Sequence, residues 1–228
     1  MYNVVCIKHG TKYDADYVNK LFLAVKRNST VEFTFHCFTD NNDGLDDRIA
    51  AHPLPYTNIE GWWQKLYLFS GEIPIEGRIL FIDLDTLITR NIDHYIKHDS
   101  GFVVLRDLWA KRDNVGSAIM SFEVGKHTQI WDNYIRNPAL AQQQIAPHGD
   151  QKIIQRHQTH RQYWQDLFPN EIVSFKSECR SGLPHPVRIV CFHGKPSIPE
   201  AINTTTKVQG FTIMPTPWIK NYWNLNEK

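Results

Sequence analysis

The sequence predicts an α/β domain around a mostly parallel sheet. Three observations carry that expectation. Strand-like runs alternate with helical periodicity through the first half of the chain, which is the pattern of βαβ units. The runs at 2–8, "YNVVCIK", and 78–83, "RILFID", read as buried strands. A length of 228 residues fits one domain with a core of useful size.

The elements follow in order. After the first strand, Gly10 makes a turn. Asp14 or Asp16 caps a helix that runs to about Asn28, with Val18, Leu21, Phe22 and Val25 on one face. Residues 31–38, "VEFTFHCF", mix β-branched and aromatic residues in a second strand, and "TDNNDGLDD" behind it is a loop. A helix is expected at 62–70, then the strand at 78–83. Strands at 101–107 and 117–124, helices at 127–137 and 149–158, and a strand at 187–194 continue the series. Residues 137–149, "NPALAQQQIAPHG", are the expected mobile loop. The C-terminal segment holds Pro215, Pro217, Trp218, Tyr222 and Trp223 and reads as a strap packed on the core. No repeat, low-complexity tract or linker interrupts the chain.

Composition narrows the function. A hydrophobic fraction of 42% and a charged fraction of 21% belong to a folded globular chain rather than a disordered one. A formal net charge of +1 argues against a nucleic-acid footprint. The short basic and aromatic mix at 156–164, "RHQTHRQYW", reads as a solvated helix face or part of an acceptor surface. No apolar run approaches the roughly 20 residues that span a bilayer, and no signal peptide is read at the start. Cys6, Cys37, Cys179 and Cys191 form no C-x-x-C pair and read as buried thiols in a reducing compartment, so a cytoplasmic place of action is expected. Of the seven tryptophans some must be core; a surplus of Trp and Tyr can also line a sugar- or base-binding cleft, and composition alone does not decide between the two.

The stretch that carries chemistry is "RILFIDLDTLITRNID", where a buried strand runs into Asp83 and Asp85. Neighbouring like charges oppose each other's ionisation unless something positive intervenes. A divalent cation, a catalytic proton and a solvated turn are the three candidates. Two other apolar runs end the same way, in Asp107 after "VVLR" and in His193 after "IVCF". Two carboxylates and an imidazole can hold a hard-to-borderline ion, Mn2+ or Mg2+, and leave positions for phosphate oxygens. Each piece also has an ordinary reading: a solvated turn for the doublet, a structural histidine, and pairing of Asp107 with Arg106 or Arg112.

Taken together, "FIDLDTLIT", "NVGSAIMSFE", "HGDQKII" and "FHGKP" resemble, in content and order, the GT-A glycosyltransferases, most of all the retaining glycosyltransferase family 8 and its bacterial and viral relatives. The resemblance covers roughly residues 2–196. It implies a GT-A, Rossmann-like nucleotide-diphospho-sugar transferase fold in one domain. About 1–125 would be the nucleotide and metal half, and about 126–228 the acceptor-side half with its strap. It implies that Asp83, Asp85 and His193 bind Mn2+ and the donor diphosphate, with Leu84 between the acids and Asp107 nearby. Asp150 and Gln151 match the D-Q pair beside the anomeric carbon. Lys65 matches a basic residue near the donor phosphates or sugar. Asn114, Gly116 and Ser117 match a segment that faces the sugar. The first strand's end, Ile7 to Tyr13 with Lys8 and Gly10 between them, and Thr39 and Asp40 lie where the family holds base and ribose. Gly194 and Lys195 take the place of the family's H-G turn and its later lysine, though here the lysine follows the glycine directly.

The implied reaction is transfer from a nucleotide-sugar, expected to be a UDP-sugar, to a glycan or lipid-linked acceptor. Retention is expected, and peripheral membrane contact is compatible with it. Two other readings compete. A haloacid-dehalogenase-like phosphatase would use Asp83 as nucleophile, but its usual glycine is missing from "DLDTL". A non-catalytic sugar- or nucleotide-binding module would keep the site without turnover. For Asp150 the ordinary reading is a helix N-cap.

Overall fold

A computed structural model describes residues 1–108, 113–208 and 210–224; Trp109 to Arg112, and with them a pairing of Asp107 with Arg112, lie outside the described residues. Strand β1 (Tyr2–Lys8) sits near the middle of the main sheet because Val4, Val5 and Cys6 are buried on both of its faces. Helix α1 (Ala15–Arg27) starts at Asp14, whose carboxylate accepts the Tyr17 amide proton, and buries the expected face of Val18, Leu21, Phe22 and Val25. Strands β2 (Phe33–Thr39) and β3 (Ala50–Pro53) follow, then the helix expected at 62–70, which is a 3-10 helix over Gly61–Phe69.

Strand β4 (Arg78–Ile82) ends at the acid doublet, and β5 (Thr86–Ile88) leaves it at once. A short helix α2 (Asp93–Ile96), β6 (Val103–Arg106) and β7 (Val115–Glu123) complete the first half. Then come α3 (Gln129–Ile135), α4 (Pro138–Ile145) and α5 (Asp150–His157). The segment expected as a mobile loop is therefore mostly helix α4. Asn137 caps it by accepting the Leu140 amide proton, and Pro138 sits in its first turn, where its missing N–H costs nothing. Beyond lie β8 (Gln162–Tyr163), β9 (Ile172–Ser174), β10 (Ile189–Cys191) and a hairpin of β11 (Thr206–Val208) and β12 (Phe211–Ile213).

The main sheet has seven strands in the order β3-β2-β1-β4-β7-β6-β8. All neighbours are parallel except at β7, which is antiparallel to both β4 and β6. The sheet is thus mostly parallel, as the sequence predicts. Alternate residues feed opposite cores. Val4, Leu80 and Ile82 pack with α1 on one face. Val5, Ile79 and Phe81 pack with the 61–69 helix, α3 and α5 on the other.

The strand expected before His193 forms, but only over Ile189–Cys191. It joins a separate three-stranded sheet, β5-β10-β9, rather than the main one. There Cys191 pairs with Thr86 in antiparallel register, and the Phe192 amide donates to the Asp85 carbonyl at 2.9 Å. A third core, with Phe175, Val190, Phe192, Ile213, Ile219 and Trp223, lies under this sheet, so the C-terminal strap is packed as expected.

Candidate active-site cleft

Strand order reverses between β1 and β4, and ligand crevices in open α/β sheets lie at such points, outside the carboxyl ends of the strands. A cleft of about 710 Å³ opens there. It brings together residues far apart in sequence: Asp83, Leu84 and Asp85 from the end of β4, Lys65 from the 3-10 helix, Ser117 from β7, Asp107 beyond β6, Asp150 and Gln151 from α5, and His193 with Gly194 beyond β10. Ile7 and Tyr13 complete the wall at the end of β1.

The acid doublet is not a solvated turn. The Asp83 amide donates to Ala118 at 2.8 Å, which extends the β4–β7 ladder one step and turns the carboxylate inward. Its neutralising partner is a lysine. Lys65 Nζ lies 2.9 Å from Asp83 Oδ1 and 3.6 Å from Asp150 Oδ2, and it also donates to Ser117 Oγ at 3.1 Å. Burial alone would lower the pKa of Lys65, but Asp150 and Asp83 beside it outweigh that and raise it. One ammonium does not fully serve the acids. Burial, helped by the nearby Asp85, pushes Asp83 up to about 7 in spite of Lys65. Burial also raises Asp85, although the Tyr13 hydroxyl donates to its Oδ2 at 2.7 Å.

His193 faces the same cleft, with its Nε2 2.8 Å from Ser174 Oγ. Burial, then the charge of Lys176, lowers its pKa to about 4, so its imidazole is neutral at ordinary pH. Among the described residues no group of three or more His, Cys, Asp or Glu side chains is arranged to hold a metal ion. Asp83, Asp85 and His193 point instead to Lys65, Tyr13 and Ser174. Asp150 is not an N-cap. Gly149 holds that position, and Asp150 is the buried first residue of the helix.

Six expected residues stand outside the cleft wall. Lys8, Gly10, Thr39 and Asp40 make their own cluster at the ends of β1 and β2: the Gly10 amide donates to Asp40 Oδ2 at 2.8 Å, and Lys8 Nζ and Thr39 Oγ1 both donate to the Asn41 carbonyl. Asn114 accepts the Asp107 amide proton through its carbonyl. Lys195 is exposed and binds Glu200 at 2.5 Å. Arg106 is committed to Asp113 and to a two-pronged pair with Asp166.

Sequence reasoning did not single out His9, Lys12, Trp62, Gly149 or Lys176. The first four line the cleft. Lys176 brings its Nζ within 3.8 Å of where a Cβ on Gly194 would stand. His9 and Lys12, inside the segment expected to hold base and ribose, and Gly149, inside "HGDQKII", carried a local signal; Lys176 comes from a short helix that no periodicity announces.

Comparison by sequence finds no matching family model and no matching curated protein. Comparison of structures finds the same fold in glycosyltransferases. A crystal structure of the galactosyltransferase LgtC in complex with donor and acceptor sugar analogs superposes with a TM-score of 0.64 at 14% identity, covering 86% of this chain and 88% of that one. The glycosyltransferase GlyE of Streptococcus pneumoniae TIGR4 superposes with a TM-score of 0.64 at 11% identity, covering 87% of this chain and 56% of that one. An active-site glutamine-to-glutamate mutant of LgtC gives 0.61 at 14% identity, covering 86% and 89%. The fold is thus the GT-A fold that the sequence resemblance implies.

Proposed function

We propose that this chain is a metal-dependent glycosyltransferase that moves a sugar from a nucleotide-sugar, a UDP-sugar by resemblance, to a glycan or lipid-linked acceptor with retention. The observation that carries the reading is convergence. Acids from β4 and α5, a lysine from the 61–69 helix and the histidine beyond β10 meet in one cleft of a fold shared with LgtC.

The residues suit a divalent ion. Burial disfavours the charged form of both carboxylates, so a cation beside them would let both ionise, and a neutral imidazole is the form that ligates. Asp83, Asp85 and His193 would hold Mn2+ or Mg2+ once Tyr13 and Ser174 yield their contacts. When bound, the ion supplies positive charge beside a departing diphosphate. The chain's own groups do the rest. Lys65 steadies Asp83 and Asp150 and adds charge at the floor. Gly194 and Lys176 bring backbone and an ammonium to the far side, where Lys195 was expected. The Lys8, Gly10, Thr39 and Asp40 cluster, with Ile7 and Tyr13, is proposed to receive base and ribose. Leu84, Asp107, Asn114 and Ser117 are proposed to border the donor sugar.

Asp150 and Gln151 are proposed to face the reacting carbon, where preorganised dipoles count most. The proposal divides the chain into a nucleotide half, about 1–125, and an acceptor-side half, about 126–228. It includes cytoplasmic action, in keeping with four free buried cysteines. Among the described residues no helix is long and apolar enough to cross a membrane. The phosphatase reading loses support because Lys65 sits on Asp83 and the fold is GT-A.

The test is a thermal-shift screen of nucleotides and nucleotide-sugars with and without Mn2+, because a ligand of the native state raises apparent stability by mass action. A shift with UDP that requires Mn2+ is expected, and its absence across all nucleotides would overturn the proposal. Turnover of a UDP-sugar separates the enzyme from a non-catalytic module. Gln151→Ala is expected to keep UDP affinity and to cut turnover about 100-fold.

A further inference from the structure

We infer that Trp62 is the platform on which the acceptor sugar lies, and so a specificity-determining residue of the transfer. The inference rests on the glycosyltransferase reading and assigns its acceptor subsite. Among the described residues, large hydrophobic side chains are exposed at only a few places, and Trp62, at 59%, is the one of them that lines the cleft. Its neighbour Trp63 does the opposite, stacking on Tyr134 at 5.7 Å and packing on the core.

The helix type explains the split. A 3-10 helix has three residues per turn, so side chains at i and i+3 eclipse. Trp62 therefore shares a face with Lys65. Lys65 reaches the buried floor, to Asp83 and Asp150, while Trp62 stands one turn further out at the mouth.

The indole also leans on the start of α5. A Cβ on Gly149 would lie 2.9 Å from Trp62 Nε1 and 3.2 Å from Cδ1, so the ring rests on bare backbone. Asp150 and Gln151 follow directly. A flat apolar face at the mouth, next to polar groups at the reacting end, suits a pyranose. Its C–H face can cover the indole while its hydroxyls point to Asp150 and Gln151. A nucleobase could also stack on an indole. The acceptor is favoured because the indole abuts α5, whereas the cluster proposed for base and ribose lies at the ends of β1 and β2.

The test uses Trp62→Ala and Trp62→Phe, with UDP-glucose and UDP-galactose as donors, Mn2+, and methyl β-glucoside, methyl β-galactoside and lactose as acceptors. Saturation-transfer NMR of the same sugars on the protein without donor gives a readout independent of turnover. Trp62→Ala is expected to raise the acceptor KM by about tenfold or more, with a smaller change in kcat, and to erase the saturation transfer. Trp62→Phe is expected to recover most of both. An acceptor KM within twofold of wild type, or a loss that falls on UDP affinity instead, overturns the inference and leaves the transferase reading standing. Trp62-dependent sugar binding with no Mn2+-dependent thermal shift by any nucleotide sinks the transferase reading and leaves Trp62 a sugar-binding surface only. Absence of both sinks both.

Discussion

On the β4 side of the cleft, Asp83 and Asp150 share one buried ammonium, 2.9 and 3.6 Å away on Lys65. On the β10 side, His193 rests on a neutral hydroxyl, Ser174 Oγ, at 2.8 Å, and the next lysine in sequence, Lys195, is taken by Glu200. The difference teaches where each wall gets its order. The first is a charge cluster whose members depend on one another. The second is a loop held by pairing of β10 with β5 and by packing of the C-terminal core. The two walls also titrate in opposite senses, Asp83 upward and His193 downward, because burial disfavours whichever form is charged.

The largest expected effect falls on binding at the junction of the two walls. Asp85→Ala should weaken Mn2+-dependent UDP binding by more than about 100-fold, since even outer-shell partners of metal ligands are worth 10–100-fold. Calorimetry with unchanged UDP affinity would remove the metal assignment. Next comes the charge cluster itself. Lys65→Met strands two buried carboxylates and should destabilise by about 3 kcal/mol, the low end for a broken buried pair because Asp83 keeps 28% of its side chain open. Urea unfolding measures the loss, and adding Asp83→Asn should recover part of it.

A smaller effect separates the walls by pH. The folded pKa of Asp83, about 7, lies above its ordinary 3.8, so the folded state holds more protons between those values and stability falls as pH rises through that window. His193, at about 4 instead of 6.5, loses protons on folding, so its contribution to stability grows as pH rises over its own window. Asp83→Asn should therefore make the metal-free protein gain stability from pH 4.5 to 6.5 relative to wild type, and His193→Gln should make it lose stability. Melting curves at the two pH values check the signs. Least of all, Lys195→Ala should change UDP affinity by less than about twofold, as expected for an exposed pair with Glu200. A tenfold loss would return Lys195 to the cleft.

The same division governs how much could be read from sequence. The first half shows its elements through long signals: the apolar run of β1, the capped and amphipathic α1, the run of β4 into the acid doublet. Beyond α5 the strands of the second half are pieces of two or three residues, such as β8, β9 and β10, which owe their existence to partners rather than periodicity. The helix expected at 62–70 forms as a 3-10 helix over Gly61–Phe69, with Gln64 and Lys65 turned inward to the Tyr56 and Ile59 carbonyls and to Asp83. Helix α4 was missed although Asn137-Pro138 is a start signal, since "LAQQQ" lacks an apolar stripe. Within the site, Asp83, Asp85, Lys65, Asp150, Gln151 and His193 were legible as motif residues. Trp62 and Lys176 were not, since only the folded chain shows which way they face.

The antiparallel match of Cys191 to Thr86 and the bond from Thr89 Oγ1 to the Val187 carbonyl, 98 residues apart, tie the acid doublet to a late part of the chain. Closing so distant a contact is slow compared with forming local helices. On the ribosome, the half with the doublet emerges long before its histidine. A growing chain thus lacks one wall of the crevice until the last small sheet pairs.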